Sequence, residues 1–163
     1  MSPVTDTGAE LRDAVQRALP RLEAIGIADS ARRPAPGKWS AREIIGHLVD
    51  SAINNHGRFV RGQLSDELVF QGYAQNDWVL VQGYQDASWP DLVVLWSAIN
   101  TNLARVISLV PRDVATREHS KHNLHEVAFT TIPASQPATL EYFMRDYVAH
   151  LEHHLRQVWE AVA

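Results

Sequence analysis

The chain contains no cysteine. Disulfide bonds, thiolate metal ligands and a nucleophilic thiol of the protein's own are therefore excluded, so any bound metal must be held by nitrogen and oxygen. Positive charge is also sparse, because 15 Lys and Arg stand against 19 Asp and Glu and the formal net charge is -4 at pH 7. The basic residues form no cluster, and nucleic acid is therefore not an expected partner.

A secretory leader and long apolar runs are missing as well. Segment 1–10 has no positively charged region followed by an apolar stretch, so we expect no signal peptide. The apolar segment 92–110 is interrupted by Ser97, Asn100 and Arg105, whereas a membrane span needs about 18 apolar residues in succession. These absences predict a cytoplasmic protein that does not enter the membrane.

Helical periodicity dominates the sequence, and no stretch shows the convincing alternation of a β-strand. Apolar residues recur at helical spacing in four segments, which predict helices at about 9–25, 40–61, 89–110 and 139–162. We therefore predict an all-α fold, a four-helix bundle formed as one domain over residues 1–163. The intervening segments 62–87 and 111–138 are long enough to cross an end of the bundle, which indicates a topology other than simple up-and-down.

Two capping patterns mark helix starts. Thr7 and Glu10 predict a capping box that opens the first helix, and Gly26 is expected to close that helix. Ser40 and Glu43 form the clearest signal, because the serine can cap the amide of the glutamate while the glutamate reaches back to the serine.

Histidine is abundant, with eight residues in the chain. His150 and His154 lie four residues apart in the last helix, so both rings can face one ion. His47, on the edge of the apolar stripe of the second predicted helix, can supply a third nitrogen. Three imidazoles leave coordination positions for water or substrate. Histidines on an apolar helix face are also common without a metal, so spacing alone leaves both interpretations open.

A second histidine group lies in a polar loop and comprises His119, His122 and His125. We expect a structural or solvent-exposed role for this group, and His122 is the member that we expect to overhang a pocket.

Several further side chains are candidates for orienting the metal ligands or for acid–base chemistry. Asp50 follows His47 by three residues and could orient a ligand ring or take a proton, although a solvated carboxylate is the commoner case. Asn54 and Tyr147 are candidates for contact with the ligands. Among the tryptophans, we expect Trp78 to line a pocket. Trp39 is expected to form a hydrophobic staple with the second helix, and Trp96 and Trp159 are expected to lie in the core.

Two segments resemble the signature helices of the DinB/YfiT-like superfamily: GKWSAREIIGHLVDS at 37–51 and DYVAHLEHHL at 146–155. The segments NNHGRF at 54–59 and YAQNDW at 73–78 resemble its YfiT branch in particular. The likeness extends over about residues 34 to 160, but the loop at 118–138 looks longer than in that branch and carries three histidines of its own.

The resemblance implies a four-helix bundle, often a homodimer, that holds one divalent metal through three histidines. Carried over by position, the ligands are His47, His150 and His154, with nickel or zinc as the favoured ion and iron or manganese as alternatives. The implied activity is metal-dependent hydrolysis of a small-molecule substrate. A transferase or isomerase that uses a low-molecular-weight thiol is the alternative, and a metal-stabilised interaction module without catalysis ranks third.

Overall fold

The computed structural model of the chain describes residues 6–163, and within that range it consists of helices and loops without a β-strand. The long helices are α1 (Thr7–Glu23), α3 (Ala41–Gln63), α5 (Trp89–Ser108) and α8 (Leu140–Val162). Shorter elements lie in the connections: α2 (Ile27–Ala31), α4 (Gln75–Val81), a 3-10 turn at Tyr84–Asp86, α6 (Arg112–Thr116) and α7 (Leu124–Val127). The predicted all-α class is confirmed. None of the described helices is long and apolar enough to cross a membrane.

The start of α3 follows the predicted capping box. The Ser40 hydroxyl accepts a hydrogen bond from the Glu43 amide at 3.3 Å, and the Glu43 carboxylate accepts one from the Ser40 amide at 3.2 Å. Arg33 also donates to that carboxylate at 2.9 Å. Two otherwise unpaired amides are thereby satisfied at the helix end that carries the first candidate ligand.

The boundaries of α1 differ from the prediction. Asp6 caps the helix, since its carboxylate accepts hydrogen bonds from the amides of Gly8 and Ala9 at 3.0 and 3.3 Å. A carboxylate at this position also favours the positive end of the helix dipole, and Thr7 becomes the first helical residue. Gly26 does not close α1, because the helix ends at Glu23 and Gly26, with φ of -66°, precedes α2 instead.

The long helices are arranged around the bundle in an order that differs from their order in the chain. Helix α1 packs on α5, α5 on α3, α3 on α8, and α8 on α1. The connections from α1 to α3 and from α5 to α8 therefore run between diagonal positions. This arrangement confirms the prediction that the bundle is not simple up-and-down, and it places α3 and α8, the helices with the candidate ligands, side by side.

One hydrophobic core joins the four long helices. Trp96 on α5 and Phe59 on α3 are fully buried, as is Leu151 on α8, and Leu11 contributes from α1. Trp96 lies in the core as predicted, while Trp159 is partly buried against it. The core keeps α3 and α8 in fixed register, because close-packed side chains resist sliding.

The two long crossovers are tied to each other. The Leu68 amide donates to the Lys121 carbonyl at 3.1 Å, and the Asn123 amide donates to the Leu68 carbonyl at 3.0 Å. His119 exchanges both backbone hydrogen bonds with Ala138, at 2.8 and 3.0 Å. These hydrogen bonds pair backbone groups of the loops without forming a sheet.

Close approach of α1 to α5 depends on Gly8. A Cβ at this position would lie 2.5 Å from the Ala104 carbonyl oxygen and 2.9 Å from the Ser108 nitrogen, both of them backbone atoms of α5. Gly8→Ala should therefore push the helices apart and lower the free energy of unfolding by about 1–3 kcal/mol, measured by urea titration. Gly72→Ala is the control: an added Cβ there meets no atom within 4 Å, and we expect a change within about 0.5 kcal/mol. Equal effects of the two substitutions would contradict the close helix contact.

Candidate metal centre

Three histidines converge where α3 packs on α8. His47 lies two turns into α3 and is fully buried, while His150 and His154 lie one turn apart on α8 and are half-buried. The Nε2 atoms of His47 and His150 are 3.3 Å apart. One ring nitrogen from each of the three residues lies within 4.8 Å of the other two. Residues more than a hundred positions apart in the chain are thus brought to one point.

The distances suit a first-row divalent ion. Zinc binds histidine nitrogen at about 2.0–2.1 Å in tetrahedral geometry, so two ligand nitrogens of one ion lie about 3.3–3.4 Å apart. The His47 and His150 nitrogens already have this separation, at 3.3 Å. The Nδ1 atom of His47 is buried and makes no hydrogen bond within the described chain. The three residues therefore fit the donor set and the spacing that an ion requires.

Burial keeps these rings neutral. It lowers the pKa of His47 to about 4 and that of His150 to about 3, with the neighbouring His154 as the next cause in both cases. Burial lowers the pKa of His154 as well. Neutral imidazole is the form that binds a metal, so at pH 7 no proton has to be displaced from a ligand nitrogen.

Gln157 orients one of the rings, a role that sequence analysis did not assign. Its side-chain oxygen lies 2.7 Å from Nδ1 of His154, and its amide nitrogen lies 3.3 Å from Nε2 of His153. A hydrogen bond from Nδ1 to the glutamine oxygen leaves the Nε2 lone pair of His154 free to bind an ion.

Aromatic rings enclose the cluster on two sides. The Trp39 ring centroid lies 5.1 Å from that of His47, so this tryptophan, predicted only as a helix staple, contacts a candidate ligand. Phe129, in the loop after α7, lies 5.3 Å from His150 and 5.2 Å from His153. Trp39 thus packs beside the fully buried member of the cluster, and Phe129, which is 48% exposed, packs beside a half-buried member.

An open cavity of about 390 Å³ lies beside the cluster. His150 and His154 form part of its wall, while His47 lies behind them. The rest of the wall comes mainly from α3, the first crossover, the loop around α7, and α8: Ser51, Asn55, Arg58, Gly72, Tyr73, Gln75, Glu126, Val127, Ala128, Phe129, Phe143, Asp146, Tyr147 and His153. A small molecule in this space would contact the exposed side of the histidines.

Asp146 shapes the mouth of that cavity and was missed by sequence analysis. Its carboxylate accepts hydrogen bonds from the Phe129 and Thr130 amides, both at 2.7 Å. Burial raises its pKa, and the two amides act in the opposite direction. Because Asp146 precedes His150 by one helical turn, it holds the loop that carries Phe129 over the histidine face of α8.

Asp50, the predicted acid or base, has other partners. Its buried carboxylate accepts hydrogen bonds from the Tyr84 hydroxyl at 2.7 Å and from the Gln82 amide at 2.9 Å, and it makes none to the three histidines. Burial raises the pKa of Asp50 and also that of Tyr84. In this arrangement Asp50 ties the segment after α4 to α3.

The remaining predicted site residues are distributed over three places. Tyr147 lines the histidine cavity and donates to the Asn100 side chain, and its burial raises its pKa. Asn54 and Trp78 line a second, neighbouring cavity instead. His122 does not line the histidine cavity, because its two ring nitrogens bond the Gln136 carbonyl and the Leu124 amide within the second crossover. His119 bonds the Asp66 carbonyl at 2.9 Å, also within the loops.

A helical bundle that places histidines of facing helices beside an open cavity has the architecture of bundle proteins with metal sites in their core. The sequence profile of the DinB superfamily matches residues 10–158, and the chain belongs to that superfamily. Among solved structures, it is similar to YfiT from Bacillus subtilis, described as a probable metal-dependent hydrolase with an unusual four-helix bundle topology. The TM-score is 0.78 at 18% identity, over 99% of this chain and 87% of that one. No curated protein gives a significant match.

The depressed histidine pKa values predict how the metal-free protein responds to acid. Histidine in the unfolded chain has a pKa of about 6.5, against about 4 for His47 in the folded protein. Below pH 6.5 the unfolded chain therefore binds more protons, and stability falls as the pH drops. Between pH 7 and 5 we expect a loss of roughly 1–2 kcal/mol from this residue, while above pH 7 its contribution is constant.

Urea titrations in the presence of a chelator, at pH 7 and pH 5, measure that loss. The His47→Gln variant has no imidazole to titrate at this position, so its loss should be smaller than that of the parent by the same amount. Identical pH dependence in the two proteins would show that His47 titrates normally when folded.

Proposed function

We propose that the protein is a metal-dependent hydrolase that binds one divalent ion, nickel or zinc, through His47, His150 and His154 and acts on a small molecule in the adjacent cavity. The observation that carries the proposal is the buried Nε2 atom of His47, placed 3.3 Å from that of His150 at the wall of an open cavity. A site made only of imidazole nitrogen suits zinc and nickel, and also iron.

The ligand set supports a catalytic site over a structural one. Structural zinc sites are closed by four protein ligands, whereas catalytic sites keep a position open. Within the described residues, the group that could hold an ion has three members, and two of them face the cavity. A divalent ion bound there supplies Lewis-acid chemistry, polarising a carbonyl group and lowering the pKa of water.

The chain's own residues prepare the site for that chemistry. Low histidine pKa values keep the ligands unprotonated, and Gln157 fixes the orientation of His154. Trp39 packs beside His47, which has no exposed surface. Asp50 serves in this proposal as a structural tie between α3 and the segment after α4, since its carboxylate is already bonded to Tyr84 and Gln82.

The test is hydrolysis of a panel of aryl esters and anilides by protein loaded with nickel or zinc. We expect turnover that a chelator abolishes, that returned metal restores, and that His150→Ala lacks. The thiol-dependent alternative would be favoured over a hydrolase by a different result. In that case the loaded protein would hydrolyse none of the panel, and it would transfer or isomerise conjugates only when a low-molecular-weight thiol is added.

Three further predictions stand beside this proposal: that the protein forms a homodimer, that residues 1–163 form one domain, and that the protein is cytoplasmic.

A further inference from the structure

Arg58 is a buried cation that has no acidic partner among residues 6–163. The residue lies on α3 with 6% of its surface exposed, and no ion pair joins it to a carboxylate of the described chain. It donates two hydrogen bonds to neutral acceptors, the Gln71 carbonyl at 2.7 Å and the Asn55 side-chain oxygen at 3.3 Å. A guanidinium group carries five N–H donors, and buried charges are almost always paired. Three of its donors thus find no acceptor among the described residues, and the rings of Tyr73 and Phe143, with centroids 5.8 and 6.0 Å from its Cζ atom, are the other groups that face the charge.

The position of Arg58 connects it with the candidate metal centre. It lies eleven residues after His47, about three turns along the same face of α3 and about 16 Å further along the helix axis. Ser51 and Asn55 lie on that face between His47 and Arg58. Together with Arg58 they line the cavity that also contains His150. A molecule filling the cavity can contact the histidines at one end and the guanidinium group at the other.

The other charges around the cavity leave Arg58 available. The Asp146 carboxylate is held by two backbone amides, and Glu126 lies beside His125 with most of its side chain exposed. Neither forms an ion pair with Arg58. Arg61, one turn later on α3, is a second cation on the same helix; it lines the second cavity, which Arg58 also borders, but not the histidine cavity. Burial lowers the pKa of Arg58, and the like charge of Arg61 acts in the same direction, so an added anion would relieve an electrostatic cost.

We propose that Arg58 binds a carboxylate or phosphate group of the substrate, so that the natural substrates are anionic small molecules that lie along the cavity with the reacting bond at the histidine end. The assignment of the reacting end rests on the proposed function. The planar fork of arginine matches the two oxygens of either anion. Arg58 is thereby a specificity-determining residue, and the neutral part of the substrate spans Ser51 and Asn55.

Arg58 also holds the first crossover through Gln71, so the test must separate charge recognition from loop structure. We would titrate glutarate, inorganic phosphate and uncharged glutaramide into metal-free protein by calorimetry, and repeat the titrations with the metal-loaded protein. The parent should bind at least one of the two anions and not glutaramide. Arg58→Gln should weaken anion binding by about 10- to 100-fold, Arg58→Lys by less, and the matched control Arg61→Gln by no more than about twofold.

The anion that the parent prefers indicates the class of substrate. Preference for glutarate identifies a carboxylate substrate, and preference for phosphate identifies a phosphorylated substrate. The proposal would be overturned if the parent bound neither anion or bound glutaramide equally well. Equal losses of affinity in Arg58→Gln and Arg61→Gln would also overturn it, because they would place the anion in the second cavity. If Arg58→Gln does not fold, Arg58→Lys decides, because an affinity within about twofold of the parent would exclude bidentate recognition. Metal-free titrations report on Arg58 even if the histidines bind no ion.

Discussion

Replacing His150 by alanine is expected to lower the affinity for nickel or zinc by more than about 100-fold, because even residues that only support the ligands contribute about 10- to 100-fold. His150 contributes the nitrogen 3.3 Å from that of buried His47, and two ligands rarely hold an ion tightly. Helix content should stay close to that of the parent, since His150 is only half-buried and the apolar side chains of the core remain in place. Competition titration against a metallochromic chelator and far-UV circular dichroism measure the two quantities.

His153→Ala is the matched control on the same helix. His153 lines the same cavity and contacts Phe129, but it is not a member of the convergent group. Its loss should reduce affinity by no more than about tenfold, the lower range for a residue that only supports ligands. Similar losses in the two variants would show that binding depends on the general density of imidazoles on α8. An unfolded His150→Ala variant at room temperature would show that the site is structural.

Phe59→Ala should produce the largest loss of stability among single substitutions near the cavity. Phe59 is fully buried, and its ring meets those of Phe143 and Tyr147 nearly edge-to-face, with centroids 5.5 and 5.8 Å away. Truncation of a buried phenylalanine costs about 3–5 kcal/mol through lost burial and the cavity left behind. Urea titration at pH 7 measures this change in the free energy of unfolding.

The control for Phe59 is Leu64→Ala, immediately after the same helix. Leu64 is 85% exposed, so its truncation should change stability by less than about 0.5 kcal/mol. A cost below about 1 kcal/mol for Phe59→Ala would contradict the packing of the aromatic wall, because that wall also positions Tyr147 and Phe143 at the cavity.

The long helices are predictable from the sequence because their signals are local. The starts at Ser40, Ser88 and Thr139 come from side chains that bond amides three residues away. The predicted bounds of α1 differ from those in the structure because two neighbouring residues, Asp6 and Thr7, can each cap a helix, and the choice between them depends on packing. Helices α2, α4, α6 and α7 were missed because elements of four to seven residues gain their stability from tertiary contacts.

The histidine cluster was also accessible to sequence reasoning, since helical spacing places His150 and His154 together and His47 on an inward edge of α3. Trp39, Phe129 and Gln157 were not assigned to the site because their contacts depend on how loops and rings pack. Arg58 had a signal that was overlooked: with Ser51 and Asn55 it continues the face of His47 at spacings of three and four residues. A polar stripe of this kind inside a predicted bundle indicates a cavity wall.

The metal content of the purified protein tests the central claim most directly. Inductively coupled plasma mass spectrometry should find about one nickel or zinc ion per chain, either as purified or after incubation with the ion and removal of the excess. The His47→Ala variant, treated in the same way, should contain almost none. A folded parent protein that retains no divalent metal after such incubation would contradict the account of the three histidines as a metal centre.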